Sequence, residues 1–535
     1  MKHLLYILSI SFFSLLVFSC NQIDPSRNYE KIGINFYIST DGNDNNSGTF
    51  QNPWRTVNKV NTYNLNRGDS IHFKAPHKYK GSLRLNEQDN ASSRFPITIT
   101  SYGEGRAIVD GGDSVALFAS DCDHLIIRNL VFIGSGRKRG NTSDGIYMEN
   151  CDSITLDQLE VSGFQHSGIH VHKSTGTRIT NVYAYNNGFA GIHVTGTTIY
   201  DSVNYDNRDL YIGYCIAENN PGDPTVTSNH SGNGILASSV DGGIIEYCEA
   251  FNNGWDMPWT GNGPVGIWIW DATDFIIQHC VAHHNKTAKG AHDGGGFDFD
   301  GGVSNSILQY NVSFENEGPG IGLFEFGAAK PWQNNIVRYN LSVNDSHTTK
   351  GGLRIWRAEG KGEMQNCEIY NNTIYSGNPG NYAIGILTNC PGMKFYNNIF
   401  LYENDFLPEE HALKDEIFLR NIYWQIKGEK KFMEYADMEE WASETGNETI
   451  EGRIVGMYAD PLLISARSSN LPTDPIKINS ENLYSFSLSI NSPAVDAGLN
   501  LENQFTLDPG IRDLVGHEVP NGSAYDIGAL EHIKD

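Results

Sequence analysis

Positive charge is scarce in this chain: 38 Lys and Arg stand against 63 Asp and Glu, a net charge of −25 at pH 7. So acidic a body argues against a nucleic-acid partner and against an anionic membrane surface, both of which need basic ground. An acidic polysaccharide stays compatible, because a locally basic groove can sit on an acidic body. Cysteine is sparse as well. Of the 8 cysteines, those after Cys20 are Cys122, Cys151, Cys215, Cys248, Cys280, Cys367 and Cys390. Their number is odd and no CxxC pair occurs, so neither a disulfide framework nor a zinc site is indicated. Beyond the first twenty residues, no apolar run reaches the ~20 residues that a membrane helix needs.

What is present begins with an export pattern. Lys2 and His3 precede an apolar run over residues 4–18, so residues 1–19 read as a signal peptide. The run ends in Leu16-Val17-Phe18-Ser19-Cys20, which resembles a bacterial lipobox with Cys20 as the lipidated first residue. Residues 20–33 then form a polar tether. The expectation is a monomer held by its lipid alone at the bacterial outer membrane, on the periplasmic or cell-surface side.

The middle of the chain repeats. Gly followed by an apolar residue and an alternating run recurs with the apolar residue at Ile146, Ile169, Ile192, Ile235, Ile267, Phe297, Ile321 and Leu353. The spacings are 23, 23, 43, 32, 30, 24 and 32. A period near 23 with insertions at one corner predicts a parallel β-helix, in which each coil buries its face only against its neighbours. The expected fold is therefore all-β: a single-stranded right-handed parallel β-helix over residues 34–402, followed by C-terminal coils and a cap over 403–535. Residues 54–63 are predicted to form a short helix capping the open N-terminal end, and residues 432–445 another short helix. Cys215, Cys248 and Cys280 occupy one repeat position, continued by Asn311 and Asn340, which predicts a stacked column of free thiols and amides.

Period-2 alternation sorts the first strand of each coil into inward and outward positions. The outward columns carry Tyr147, His170, His193, Leu236, Trp268, Asp298, Gly322 and Arg354, then Glu149, His172, Thr195, Ser238, Trp270, Asp300, Phe324 and Trp356. An ordinary solvated β face carries more Thr, Ser, Lys and Asn. At its centre, Gly294 to Gly302 places Asp298 and Asp300 on one face, with Phe297 and Phe299 on the other. The next coil supplies Glu325, which pleating from Ile321 turns inward unless the strand bends after Leu323. Crowded carboxylates keep one member protonated, as glycosidic-bond hydrolysis requires. The candidate catalytic residues are Asp300, Glu325 and Asp298. Trp268, Trp270 and Trp356 suit stacking on sugar rings, Arg354 and Arg357 suit a uronate or hydroxyls, and His170, His193 and His292 complete the candidate substrate-binding set.

The opening segment, Phe36-Tyr37-Ile38-Ser39-Thr40-Asp41-Gly42, the coil repeat, and the closing Ser492-Pro493-Ala494-Val495-Asp496-Ala497-Gly498 resemble right-handed parallel β-helix carbohydrate-active enzymes over nearly all of the mature chain. Within that group the chain resembles family-120 glycoside hydrolases. That resemblance implies Asp300 as nucleophile, Glu325 as acid/base, a poly- or oligosaccharide substrate and no cofactor. The opening segment is also similar to family-9 polysaccharide lyases, which implies the alternative of a Ca²⁺-dependent lyase on a uronate-containing glycan. Asp293, Asp298 and Asp300 are then the candidate ligands and Lys330 the nearest candidate base. A non-catalytic glycan-binding β-helix is the second alternative; it keeps the tryptophans and needs no paired acids.

Overall fold

A computed structural model describes residues 33–533, except 90, 198–203, 328–329, 359–362, 409–412, 428–431 and 467–469. The expected signal peptide, Cys20 and nearly all of the tether lie outside the described residues.

A coil contributes three short strands, or two where the first and second run together, as in Asn233–Glu246 and Val265–Gln278. One coil comprises Gly295–Phe299, Ile307–Gln309 and Val312–Phe314; the next comprises Ile321–Glu325, Ile336–Arg338 and Leu341–Val343. Corresponding strands pair in parallel and in register, so that 35 described strands join one continuous sheet wound as a solenoid. On the first face Ile146, Ile169, Ile192, Ile235, Ile267, Phe297, Ile321 and Leu353 are successive direct partners, extended by Ile384. Every member is at most 1% exposed. Full burial of such a side chain contributes ~1.5–3 kcal/mol, and the in-register ladder repeats that gain at every coil.

Two polar columns hold the corners. At the second corner the backbone N–H of one coil donates to the side chain of the next. Cys215 and Cys248 donate to the sulfurs of Cys248 and Cys280, then Cys280, Asn311, Asn340, Asn372 and Asn398 donate to asparagine oxygens. The described thiols are free and buried, and Cys215, Cys248 and Cys280 stand in the column the repeat predicted. Near the start of the first face, Asn187, Asn220, Asn253, Asn285 and Asn316 form a second ladder, ending on Asp345. This ladder explains the recurring glycine. A Cβ at Gly168, Gly191, Gly266 or Gly296 lies 2.7, 3.0, 2.7 or 3.1 Å from the amide nitrogen of an asparagine in it.

The N-terminal cap contains the helix Val57–Val60, four residues long, with Thr56 as its N-cap. Val57, Val60 and Leu65 join the main core from this end. The later helix is Met438–Thr445, shorter than expected because Asp437 caps it and Gly446 ends it in the left-handed conformation. Coil pairing continues to Met457–Tyr458. The chain beyond packs on the outside of the third face, where Leu483, Phe486, Leu488 and Ile527 cover Val312, Leu341, Tyr375 and Ile399.

Candidate functional site

The regular pleat of the first face decides which side chains reach solvent. Trp268 pairs with Asp298, Asp298 with Gly322 and Gly322 with Arg354, all on the outward side. Together with the corner loops before them, these strands line a cleft of ≈600 Å³ whose walls include Asp293, Asp300, His292, Trp268, Trp270, Phe324, Phe326, Arg354 and Trp356. That volume is within the range of small-molecule sites.

The strand Ile321–Glu325 stays in register with Leu353–Arg357 to its last residue, without a bulge. Glu325 therefore keeps inward parity. It is 1% exposed, and its carboxylate turns to the corner backbone, accepting from the N–H groups of Gly302 at 3.0 Å and Gly327 at 2.5 Å. The expected approach of Glu325 to the cleft is thus corrected: no bend after Leu323 releases it. Asp298 is outward but covered, at 3% exposure. Its Oδ1 has no hydrogen-bond partner. Room for it comes from Gly322, where a Cβ meets the Phe324 ring at 2.7 Å and Asp298 Oδ1 at 3.0 Å.

The two carboxylates that do line the cleft are Asp300 and Asp293. Asp300 follows the strand Gly295–Phe299 and accepts from the Gly301 N–H at 2.8 Å. Burial, then the charges of Asp293 and Glu325, push its pKa up to about 8 against the pull of that hydrogen bond. Asp293 has a positive φ of 61° in the preceding corner, and its Oδ2 accepts from the Gly263 N–H at 2.8 Å. Burial raises its pKa, while the Gly263 N–H and the Arg354 guanidinium oppose the rise. Asp298 lies well above the carboxylate range because of burial and its two aspartate neighbours.

The remaining candidates divide. Trp270 and Trp356 present partly exposed rings to the cleft, whereas Trp268 is 3% exposed and donates its indole N–H to Asn233 at 3.1 Å. Arg354 lies in the cleft wall; His292 is exposed at its rim. Arg357 is outside the wall, its guanidinium donating to the Asn389 carbonyl of the next coil. His170 and His193 stack on each other at 4.5 Å, on coils before Leu236 and away from the cleft. Residues that the repeat did not single out complete the wall: Asn229, His230, Asn262, Phe326 and Leu387. For the first three, the only signal was the extra chain length between Ile192 and Ile267.

The lyase candidates fare differently. Ca²⁺ needs six to eight converging oxygens, yet Asp293 and Asp300 each face a different backbone N–H and Asp298 is covered. Among the described residues no group of three or more His, Cys, Asp or Glu is gathered to hold a metal. The three aspartates do not fit a Ca²⁺ ion. Lys330 is buried, its ammonium on both oxygens of the buried Asp271 at 2.9 and 2.8 Å and over the Tyr205 ring at 4.1 Å.

A family model described as "Pel9A-like, right handed beta helix region" matches residues 36–350. No curated protein matches the chain. Among solved structures, a GH136 lacto-N-biosidase from Eubacterium ramulus is 15% identical, with 71% of this chain and 67% of that one covered and a TM-score of 0.48. Pectate lyase Pel9A is 15% identical over 93% of this chain and 96% of its own, with a TM-score of 0.40. The A-module of the mannuronan C-5 epimerase AlgE4 from Azotobacter vinelandii is 15% identical over 65% and 89%, with a TM-score of 0.46. With more than half of its length matched by that one family model, the chain belongs to the Pel9A-like right-handed β-helix family.

Proposed function

We propose that the protein is an extracytoplasmic glycoside hydrolase acting on a poly- or oligosaccharide, with Asp300 and Asp293 as its working carboxylates. The observation that carries this reading is two carboxylates on one aromatic-lined cleft, with unlike surroundings. Asp300 is pushed up to about 8 by burial and by the charges of Asp293 and Glu325, and so holds a proton at neutral pH. Asp293 is also raised by burial, but unlike Asp300 it has the Gly263 N–H and the Arg354 guanidinium together opposing that rise. Paired acids whose environments differ in this way divide into acid and base.

In the proposed reaction the Asp300 carboxyl gives its proton to the glycosidic oxygen as the C–O bond breaks. The Asp293 carboxylate meets the positive charge on the sugar, either attacking the anomeric carbon or taking a proton from the water that does so. Trp270 and Trp356 offer ring faces for sugar stacking, and Arg354 offers a cation for a carboxylate or hydroxyl of the substrate. Asp298 and Glu325 act behind the wall, Glu325 through its charge on Asp300. Lipidation at Cys20 and a place at the bacterial outer membrane complete the reading. A Cys20→Ala chain that still partitions with membranes would remove that part of it.

The lyase reading is favoured by the family match, whose name it shares with a pectate lyase. The unsuited aspartates and the ion-paired Lys330 weigh against it. A screen of glycans and aryl glycosides separates the readings by product mass. Addition of water supports the hydrolase. An unsaturated uronate, with activity abolished by a chelator, supports the lyase. Binding without any product identifies a glycan-binding protein.

A further inference from the structure

The outward columns of the first face do not stay open along the solenoid. Tyr147, His170 and His193 in one column and Glu149, His172 and Thr195 in the other are partly exposed, but the next members, Leu236 and Ser238, are 1% and 0% exposed. Leu236 belongs to a small apolar cluster outside the solenoid, in which Leu236, Val265 and Trp268 pack with Phe189 and Trp270. His230 is set into it, with ring centroids 5.8 Å from Phe189 and 5.1 Å from Trp268, and its Nδ1 lies 3.1 Å from the Asn233 amide nitrogen.

The two corner loops that precede the strands Asn233–Glu246 and Val265–Gln278 are latched together beside this plug. The Asn262 side chain donates to Asn229 Oδ1 at 2.8 Å and accepts from the Trp259 indole N–H at 2.9 Å. Asn229, His230, Asn262 and Trp268 all line the cleft, so plug and latch form its wall on the N-terminal side. From there the cleft extends toward the C-terminal coils, past Asp300, Arg354 and Trp356 to Leu387.

A glycan threaded through for internal cleavage has to leave a cleft at both ends. Here a chain lying along the face meets packed side chains one coil before Trp268. Opening this cluster would expose the packed Leu236, Val265 and Trp268 and unpair the buried Asn233 from Trp268 and His230, a cost that a passing sugar does not repay. We propose that the cleft receives a chain end: the enzyme is exo-acting and seats the terminal units of its glycan against the wall of Asn229, His230, Asn262 and Trp268. Polar side-chain atoms set in an apolar frame suit the hydroxyls and ring face of a terminal sugar. A cleft of ≈600 Å³ then sets a short, fixed product length.

This inference rests on the hydrolase reading and names how that same site takes its substrate. The test uses the full chain and the glycans cleaved in the screen, as oligosaccharides of defined length carrying a bulky fluorescent tag at one end or the other. The expected result is one small product of constant size from the earliest time points, with long chains shortened stepwise. A tag on the seated end should slow release on the order of 100-fold, because it displaces the scissile bond from the carboxylates. A tag on the far end should have little effect. Fragments of mixed intermediate length early in the reaction, or equal tolerance of both tags, would overturn the exo assignment while leaving the hydrolase standing. Cleavage of no glycan would overturn both.

Discussion

At the residue scale the decisive groups are carboxylates separated by pleat parity. Asp300 and Asp293 each touch the cleft, so Asp300→Asn and Asp293→Asn should lower kcat by ~10²–10⁴-fold or more on natural glycan. Asp300→Asn should recover on an aryl glycoside whose leaving group needs no proton, and Asp293→Asn should not. Recovery of both, or of neither, would reassign the pair. Glu325 tests the same geometry from behind. As a buried charge acting on Asp300, Glu325→Gln should leave kcat at acid pH nearly unchanged and move the alkaline limb of the activity profile to lower pH. Were Glu325 itself the acid, activity would fall at every pH and return on the activated glycoside.

The raised pKa of Asp300 also has a sign in stability. The folded state holds this proton up to about pH 8, whereas the unfolded chain releases it near ~3.9. Stability is therefore full below the unfolded value and falls as pH rises from there to about 8. Asp300→Asn, which has no proton to lose, should raise the melting temperature relative to wild type at pH 9. The gain should vanish near pH 4. A gain independent of pH would mean that the folded carboxyl titrates normally.

At the scale of the element, the corner ladders rather than any single strand hold the coils in register. Asn316 accepts from the N–H and the side-chain amide of Asn285, both at 2.9 Å, and donates to Ala282 O, Ser313 Oγ and Asp345 Oδ1. Asn316→Ala should cost at least the ~1–3 kcal/mol of a buried polar group left unpaired, read as a lower denaturation midpoint. Gly322→Ala should act locally instead. Its Cβ displaces the Phe324 ring and the Asp298 carboxyl, so activity should drop while the circular dichroism of the solenoid persists.

At the scale of the whole molecule, the solenoid needs both of its covers. The segment beyond Tyr458 shields the apolar outer side of the third face, including Val312, Leu341, Tyr375 and Ile399. A chain ending at Tyr458 should expose this stripe and aggregate, visible in size-exclusion chromatography and dye binding. A monodisperse, active truncation would show the segment to be dispensable.

The sequence by itself determined the coil. A period near 23, inward apolar columns and the Cys–Asn column are local consequences of a strand's two-residue pleat repeated at fixed spacing, and each recurs in the register. Pleat parity also placed Asp298 and Asp300 outward and warned that Glu325 points inward. What only the tertiary structure decided was the cleft. Which outward residues stay open depends on loops of variable length folding back over the face. Trp268 and Leu236 became a plug, Asp298 was buried beside Gly322, and Asp293 came to the wall from a corner. Insertions carry no periodicity, and a corner residue at positive φ has no parity to read, so their packing is settled only when neighbouring coils come together.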